Sequence, residues 1–368
     1  MQLKVTTSWN EESTVQTAPG QSLAQAVYLS GLFDVPPLCS GHSAGVSRCG
    51  RCRMRLDGAL RSFPASERDF AVLGRLTVED GWRLACRADC QELERHLAGQ
   101  DASSFGVTLP DTVRIFQGAT AGRAEQRKRQ VKSSAQKEKV ALAVDFGTTS
   151  VCWKFTDAEL GSEEASMVNP QMGAGSDIMS RMSLTVPVRG STDTSGRERL
   201  RALSVRAFVR MLEQDKSTAE RSVSEIVVAG NPAMMHILLG KDVSGLCYAP
   251  YRLEYHGGAQ EVLPGFPDLP PCWICPLISP FVGGDLSAGY AALAYGAQGQ
   301  AQYPFLLADL GTNGEFILAL DAQNALATSL PLGPALEGMG LSCGSEARDG
   351  VITGFKLTPT GLKAGFFK

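Results

Sequence analysis

Four cysteines stand in the pattern Cys39-x9-Cys49-x2-Cys52-x33-Cys86. Three thiols on one loop and a fourth far downstream suit a metal centre, because iron and zinc both accept thiolate ligands. The stretch SGHSAGVSRCGRC is rich in small residues, among them Gly41, Ser43, Ala44, Gly45 and Gly50. Small residues let backbone amides approach the sulfides of an iron–sulfur cluster. Zinc is the rival, since Cys49-x2-Cys52 with Cys86-x3-Cys90 also supplies four thiolates. A Rieske centre needs two histidines, and His42 stands alone in this loop. Cys272-x2-Cys275 lies among prolines and apolar residues and reads as buried rather than redox-active. Cys152, Cys247 and Cys343 are isolated and read as packed thiols.

A second signal is a repeat. AVDFGTTS at 143–150 and ADLGTNGE at 308–315 each set Asp, an apolar residue, Gly and Thr between two apolar strands. Glycine lets the backbone come close to a phosphate and expose its amides. Thr148, Thr149 and Thr312 add hydroxyl donors. Asp145 and Asp309 can hold Mg²⁺, directly or through water, and so offset phosphate charge. Two such turns face to face would grip a triphosphate from both sides. The pair resembles the phosphate-1 and phosphate-2 turns of the actin, sugar kinase and Hsp70 superfamily. The chain has no GxxxxGK[ST] and no GxGxxG, so P-loop and Rossmann readings drop out.

These residues need elements to position them. LKVTTSW alternates like a strand, APGQ is a turn, and SLAQAVYLSGL has helical spacing with Ser22 as N-cap. RCRMRL and GWRLAC read as strands on either side of the loop's far end. Hairpin, helix, loop and further strands predict a β-grasp, ferredoxin-like domain over residues 1–99. Residues 100–138 contain AGRAEQRKRQVKSSAQKEK, with almost nothing to bury, and read as a basic linker. A nucleic-acid tail is the sharper reading, but no aromatic residue interleaves the charges. From 139 to 368 the pattern is α/β: VALAVDFG, EIVVAGN and PFLLADLG read as buried strands, and ERLRALSVRAFVRMLEQ as an amphipathic helix between them.

The bulk numbers exclude little else. The 368 residues carry a net charge of −3, with 43% apolar and 20% charged residues, as in an ordinary globular protein. There is no secretory signal and no apolar run long enough to span a bilayer, so the expected setting is cytoplasmic, without membrane or nucleic-acid partners. Ten cysteines in a reducing compartment argue for metal ligands rather than disulfides.

Two resemblances sharpen the reading. RLAC around Cys86 resembles the fourth-ligand strand of plant-type and putidaredoxin-like ferredoxins, which implies one [2Fe–2S] cluster on Cys39, Cys49, Cys52 and Cys86. The nine-residue first spacing departs from the usual four or so of those proteins. The whole order of cluster domain, linker and actin-like part resembles the reductive activators of corrinoid-dependent enzymes. NPQMGAGSDIMSRM at 169–182, VVAGNPAMMHILLG at 227–240, PFVGGDLSAG at 280–289 and GPALEGMGLSCGSEARDGVI at 333–352 carry that likeness.

The resemblance implies ATP-dependent reduction of Co(II) to Co(I) on a corrinoid protein of a methyltransferase system, with electrons from a ferredoxin- or flavodoxin-type donor. It assigns Asp145, Gly147, Thr148 and Thr149 to the first phosphate turn. Asp309, Gly311, Thr312, Asn313, Gly314 and Glu315 fall to the second. Asp285 is assigned to magnesium or the attacking water, with a plain turn or N-cap role as the alternative. Asn231 and His236 are read as structural. Only about sixty residues follow the second turn, so the actin-like second half is expected to be incomplete. Two other readings stay open: a non-hydrolytic electron-transfer module with an inactive nucleotide site, and a small-molecule kinase of the same fold.

Overall fold

The structure is a computed structural model that describes residues 1–36, 38, 50–98, 105–111, 113, 138–156, 164–186, 194–214, 221–296, 301–311, 313–332, 352–359 and 361–366. Cys39, Cys49 and Thr312, and most of the basic stretch, lie outside the described residues.

The first sheet is built from β1 (Gln2–Thr6), β2 (Glu12–Gln16), β3 (Arg53–Asp57), β4 (Trp82–Leu84) and β5 (Gly106–Thr108). Their order is β2-β1-β5-β3-β4, with β1 and β5 parallel at the centre, which is the β-grasp arrangement. Alternation places Leu3 and Val5 of β1 and Met54 and Leu56 of β3 in one core. Helix α1 (Leu23–Tyr28) crosses that core. It starts at Ser22 through a reciprocal cap: Gln25 N donates to Ser22 Oγ at 3.2 Å, and Ser22 N donates to Gln25 Oε1 at 3.0 Å. Helices α2 (Glu67–Leu73), α3 (Arg75–Glu79) and α4 (Cys90–His96) complete the unit. The expected domain end at residue 99 is too early. Strand β5 supplies the centre of the sheet, and Val107, Leu109 and Val113 are wholly buried in this core.

The second sheet holds β6 (Glu138–Phe146), β7 (Ser150–Thr156), β8 (Ala165–Val168), β9 (Arg221–Ala229), β10 (Ala259–Glu261) and β11 (Cys272–Ile274). Its order is β10-β11-β9-β6-β7-β8. The meander β6-β7-β8 is antiparallel, while β9 runs parallel to β6 and β11 parallel to β9. This is the ribonuclease H-like pattern of an actin-like half. Helices α5 (Ile178–Thr185), α6 (Ser195–Gln214), α7 (Pro232–Leu239) and α8 (Ser244–Cys247) belong to this half. Phe146 and Phe208 stack in the core at 5.9 Å between ring centroids, both essentially inaccessible. Phe208→Ala is expected to lower the unfolding free energy by about 3–5 kcal/mol, read as an earlier urea midpoint.

Helix α9 (Gly284–Tyr295) leads into a third sheet of β12 (Phe305–Leu310), β13 (Asn313–Ala319) and β14 (Ala325–Pro331), in the order β12-β13-β14. These strands repeat the β6-β7-β8 meander. The sheet rests on α9 through Ile317, Val282 and Leu286, while Leu306 and Leu326 are more than 60% exposed. A hairpin of β15 (Ile352–Thr358) and β16 (Gly361–Phe366) follows. Among the described residues no helix is long and apolar enough to cross a membrane.

Candidate nucleotide cleft and thiol pair

Both repeated motifs form tight turns between antiparallel strands, β6 to β7 and β12 to β13. In the first, a Cβ on Gly147 would lie 2.7 Å from Ser150 O, so only glycine fits. In the second, Gly311 N donates to Asn313 O at 3.0 Å and closes the turn.

Glycine packing brings a third element to the same place. The end of β9 turns at Gly230, where a Cβ would lie 2.7 Å from Phe146 O. Gly284 N donates to Gly230 O at 2.8 Å, and a Cβ on Gly283 would lie 2.5 Å from Asn231 Cα. The ends of β6 and β9 and the start of α9 therefore meet backbone to backbone. Asp285 sits in the first turn of α9, while Gly283 takes the N-cap position, so the N-cap role for Asp285 does not hold. Asp285 Oδ1 accepts from Leu286 N at 2.9 Å.

Four carboxylates converge there from different elements: Asp145 at the end of β6, Asp285 on α9, Asp309 on β12 and Glu315 on β13. Asp309 and Glu315 face each other across the β12–β13 ladder. Glu315 is 5% exposed, and burial, then Asp285 and Asp309, push its carboxyl up to about 8. Asp285 is pushed up to about 6, chiefly by burial and further by Asp145 and Asp309, with the Leu286 amide working the other way. Asp145 is open to solvent on one side, yet crowding by the cleft walls, then Asp309 and Glu164, holds its carboxyl above the usual range. Among the described residues none of the four makes an ion pair, and no three close into a metal-binding cluster. Carboxylates are the oxygen donors that Mg²⁺ accepts, an ion that usually takes one or two of them and fills its shell with phosphate and water.

Two asparagines hold the first turn. Asn231 Nδ2 donates to Thr148 Oγ1 at 2.8 Å while its Oδ1 caps α7 through Met234 N at 3.0 Å. Asn169 Nδ2 donates to Gly147 O at 2.7 Å, and its backbone N donates to Thr149 O at 2.8 Å. Asn231 therefore has a structural role, bracing Thr148 and capping α7, and Asn169, which sequence reasoning missed, braces the same turn. Each asparagine stands directly before a proline in an N-P pair, which was the available signal. His236 keeps its structural role: it is buried, and its Nδ1 pairs with Pro232 O at 2.7 Å.

In the first unit, Cys52 Sγ and Cys86 Sγ lie 3.2 Å apart, carried by the start of β3 and the end of β4. Gly50, just before, has φ of +64° and lets the chain reverse. Two converging thiols suit a thiolate-bound metal centre. Cys90, the fourth ligand of the zinc alternative, is instead packed in the apolar core on α4, where burial pushes its thiol up to about 12. With Cys52, Cys86 and Cys90 all described, no three of them form a metal-binding group. Cys272 and Cys275 are buried, as expected, and burial pushes Cys272 up to about 11.

The RACo middle region profile matches residues 140–296, and the profile for the C-terminal domain of RACo, the ASKHA domain, matches residues 304–366. The chain is 29% identical over 230 residues to the corrinoid activation enzyme RamQ of Eubacterium limosum, covering 60% of this chain and 37% of that protein. It is 25% identical over 231 residues to the Co(II) methylated amine-specific corrinoid protein reductase of Methanosarcina barkeri, covering 58% of this chain and 40% of that one. The chain thus spans about two fifths of the length of these curated relatives. A solved reductive activator for corrinoid, iron-sulfur protein superposes with a TM-score of 0.50 at 19% identity, over 99% of this chain and 68% of that one, a likeness of fold. With both RACo regions present in order over more than half of its length, the chain belongs to the reductive activators of corrinoid-dependent enzymes.

Proposed function

We propose that this chain reduces the Co(II) form of a corrinoid protein to Co(I), drawing on ATP bound between the two phosphate turns. The observation that carries the reading is the cleft in which Asp145, Asp285, Asp309 and Glu315 crowd around the paired turns. It is set in one chain with the Cys52–Cys86 thiol pair.

On this reading Gly147 to Thr149 and Gly311 to Gly314 receive the phosphates through backbone amides and hydroxyls. Asp145 and Asp309 hold Mg²⁺. Asp285 and Glu315 stand next to them, where Glu315 can take a proton from the water that attacks the terminal phosphate. Cys39, Cys49, Cys52 and Cys86 hold a [2Fe–2S] cluster, which supplies single electrons at low potential, near ~−400 mV for plant-type centres. One electron from a ferredoxin- or flavodoxin-type donor passes to Co(II), and the product is Co(I). Each ~59 mV uphill loses about tenfold in equilibrium, which is what coupled ATP hydrolysis to ADP and phosphate offsets.

The test follows the visible absorption change from Co(II) to Co(I) on a purified corrinoid protein from a methyltransferase system, with an excess of reduced low-potential donor. Reduction should be complete with Mg·ATP, and without it the Co(I)/Co(II) ratio should fall by about 100-fold for a step ~120 mV uphill. Equal ratios with and without nucleotide would instead favour the plain electron-transfer module.

A further inference from the structure

The two units meet at a joint that starts inside the nucleotide cleft. Asn169 is fully buried and grips Gly147 O and Thr149 O from β8's end. Its Oδ1 accepts from Gln171 N at 2.9 Å and so caps the 3₁₀ turn Pro170–Ala174. That turn presses on α1 of the first unit. Met172 is buried in the β-grasp core, and a Cβ on Gly173 would lie 2.9 Å from Tyr28 Cβ and 3.1 Å from the Tyr28 backbone. From α1, Ala24 N donates to Ala85 O at 3.0 Å and Leu23 N donates to Ala88 O at 2.7 Å. These bonds bracket Cys86, and Ala85 N donates to Cys52 O at 3.3 Å. A second tie flanks the joint: Arg206 Nη1 donates to Ser30 O at 3.1 Å, and Arg210 pairs with Asp34 at 2.5 Å.

We propose that Asn169 is a positioning residue through which phosphate held at Gly147–Thr149 is felt at Cys52 and Cys86. The inference rests on the nucleotide reading above and adds its regulation. The physical reason is the absence of slack. Each link is a hydrogen bond or a direct backbone contact, and packed interiors transmit displacement rather than absorb it. When phosphate draws the amides of the turn inward, Gly147 O and Thr149 O move with them. Asn169 carries that movement into the 3₁₀ turn, and Gly173 delivers it to Tyr28. The coupling is reciprocal, so the state of the thiol pair also sets nucleotide affinity.

The test uses the full chain with its metal centre reconstituted. Mg·ATP affinity is measured by calorimetry. Hydrogen exchange of the peptide spanning 23–28 and the spectrum of the reduced centre are recorded with and without nucleotide. Mg·ATP is expected to slow exchange in that peptide by about fivefold or more and to shift the spectrum. Gly173→Val wedges the joint apart, and Arg206→Ala loosens it while leaving both phosphate turns and all cysteines untouched. Both variants should bind Mg·ATP within about threefold of wild type and lose the response at α1. Asn169→Asp keeps the acceptor for Gln171 N, removes the donor to Gly147 O, and should lose the same response. Nucleotide binding with no change at residues 23–28 or at the centre overturns the joint and leaves the proposed function standing. A full response in Arg206→Ala and Asn169→Asp also overturns it. Absence of nucleotide binding to the wild-type chain overturns both readings.

Discussion

Glu315→Gln is expected to make the nucleotide-free chain more stable at pH 8 by on the order of 2–4 kcal/mol while removing ATP-driven reduction. The sign follows from where Glu315 lies. It is 5% exposed, it faces Asp309 across a strand pair, and its carboxyl is pushed up to about 8. In the unfolded chain the same group titrates near ~4.3. Between those values the native state holds a proton that the unfolded state has lost, so native stability falls as pH rises through the window. Asp285, pushed up to about 6, adds to the fall over the lower part of the range. A neutral amide of the same shape removes the larger contribution. Urea midpoints measured from pH 5 to 8 should decline throughout for wild type and only over the lower part of that range for the variant. Mg·ATP should shrink the contrast, because a bound cation favours the ionised carboxylate and its binding releases the Glu315 proton. Calorimetric binding enthalpies that differ between buffers of different ionisation heat will detect that proton. Loss of at least ~100-fold in reduction rate marks the catalytic side of the same residue. A variant no more stable than wild type at pH 8 would remove the buried, protonated Glu315 on which the assignment stands.

The parts of this site that were legible in the sequence are the local ones. Asp145 and Gly147, or Asp309 and Gly311, sit within a few residues of each other, because a hairpin turn is itself local. Ser22 announced α1 because a cap acts over three residues. The contacts that were missed act across the chain. Asn169 reaches Gly147 over 22 positions, and Asn231 reaches Thr148 over 83, and no spacing rule connects such pairs. Strand β5 was hidden for a different reason. Its three residues, Gly106–Thr108, lie between a polar stretch and a proline, and only the vacant slot between β1 and β3 makes them a central strand. Tertiary context overrode a weak local preference. The role of Asp285 stood open between two readings because a helix start can place an acid at its cap or one turn inward. The structure puts Gly283 at the cap, close against Asn231, and Asp285 in the first turn beside the other acids.

Cys86→Ala is expected to abolish corrinoid reduction while Mg·ATP still binds, changed in affinity by no more than the about fivefold coupling to the thiol pair, and the separation of those two readouts carries the argument. Cys86 shares a 3.2 Å contact with Cys52 but lies on a strand end remote in sequence from the loop that bears the other cysteines. Removing it takes away the fourth thiolate that an iron–sulfur centre of this spacing requires. The protein should therefore lose its visible absorbance and its iron together, which metal analysis will show. A zinc site would behave differently in two ways: the wild type would be colourless, and zinc rather than iron would disappear from the variant. The β-grasp core should survive the change, because Cys86 is only partly buried and contributes little to a core built on residues such as Leu3, Met54 and Leu84. Cys90→Ala is the internal control, since that thiol is packed in the core on α4 and does not group with the pair. It should shift the unfolding midpoint modestly and leave colour, iron and reduction in place. Reduction that survives Cys86→Ala would separate electron transfer from these thiols and leave the nucleotide cleft to be explained by another chemistry.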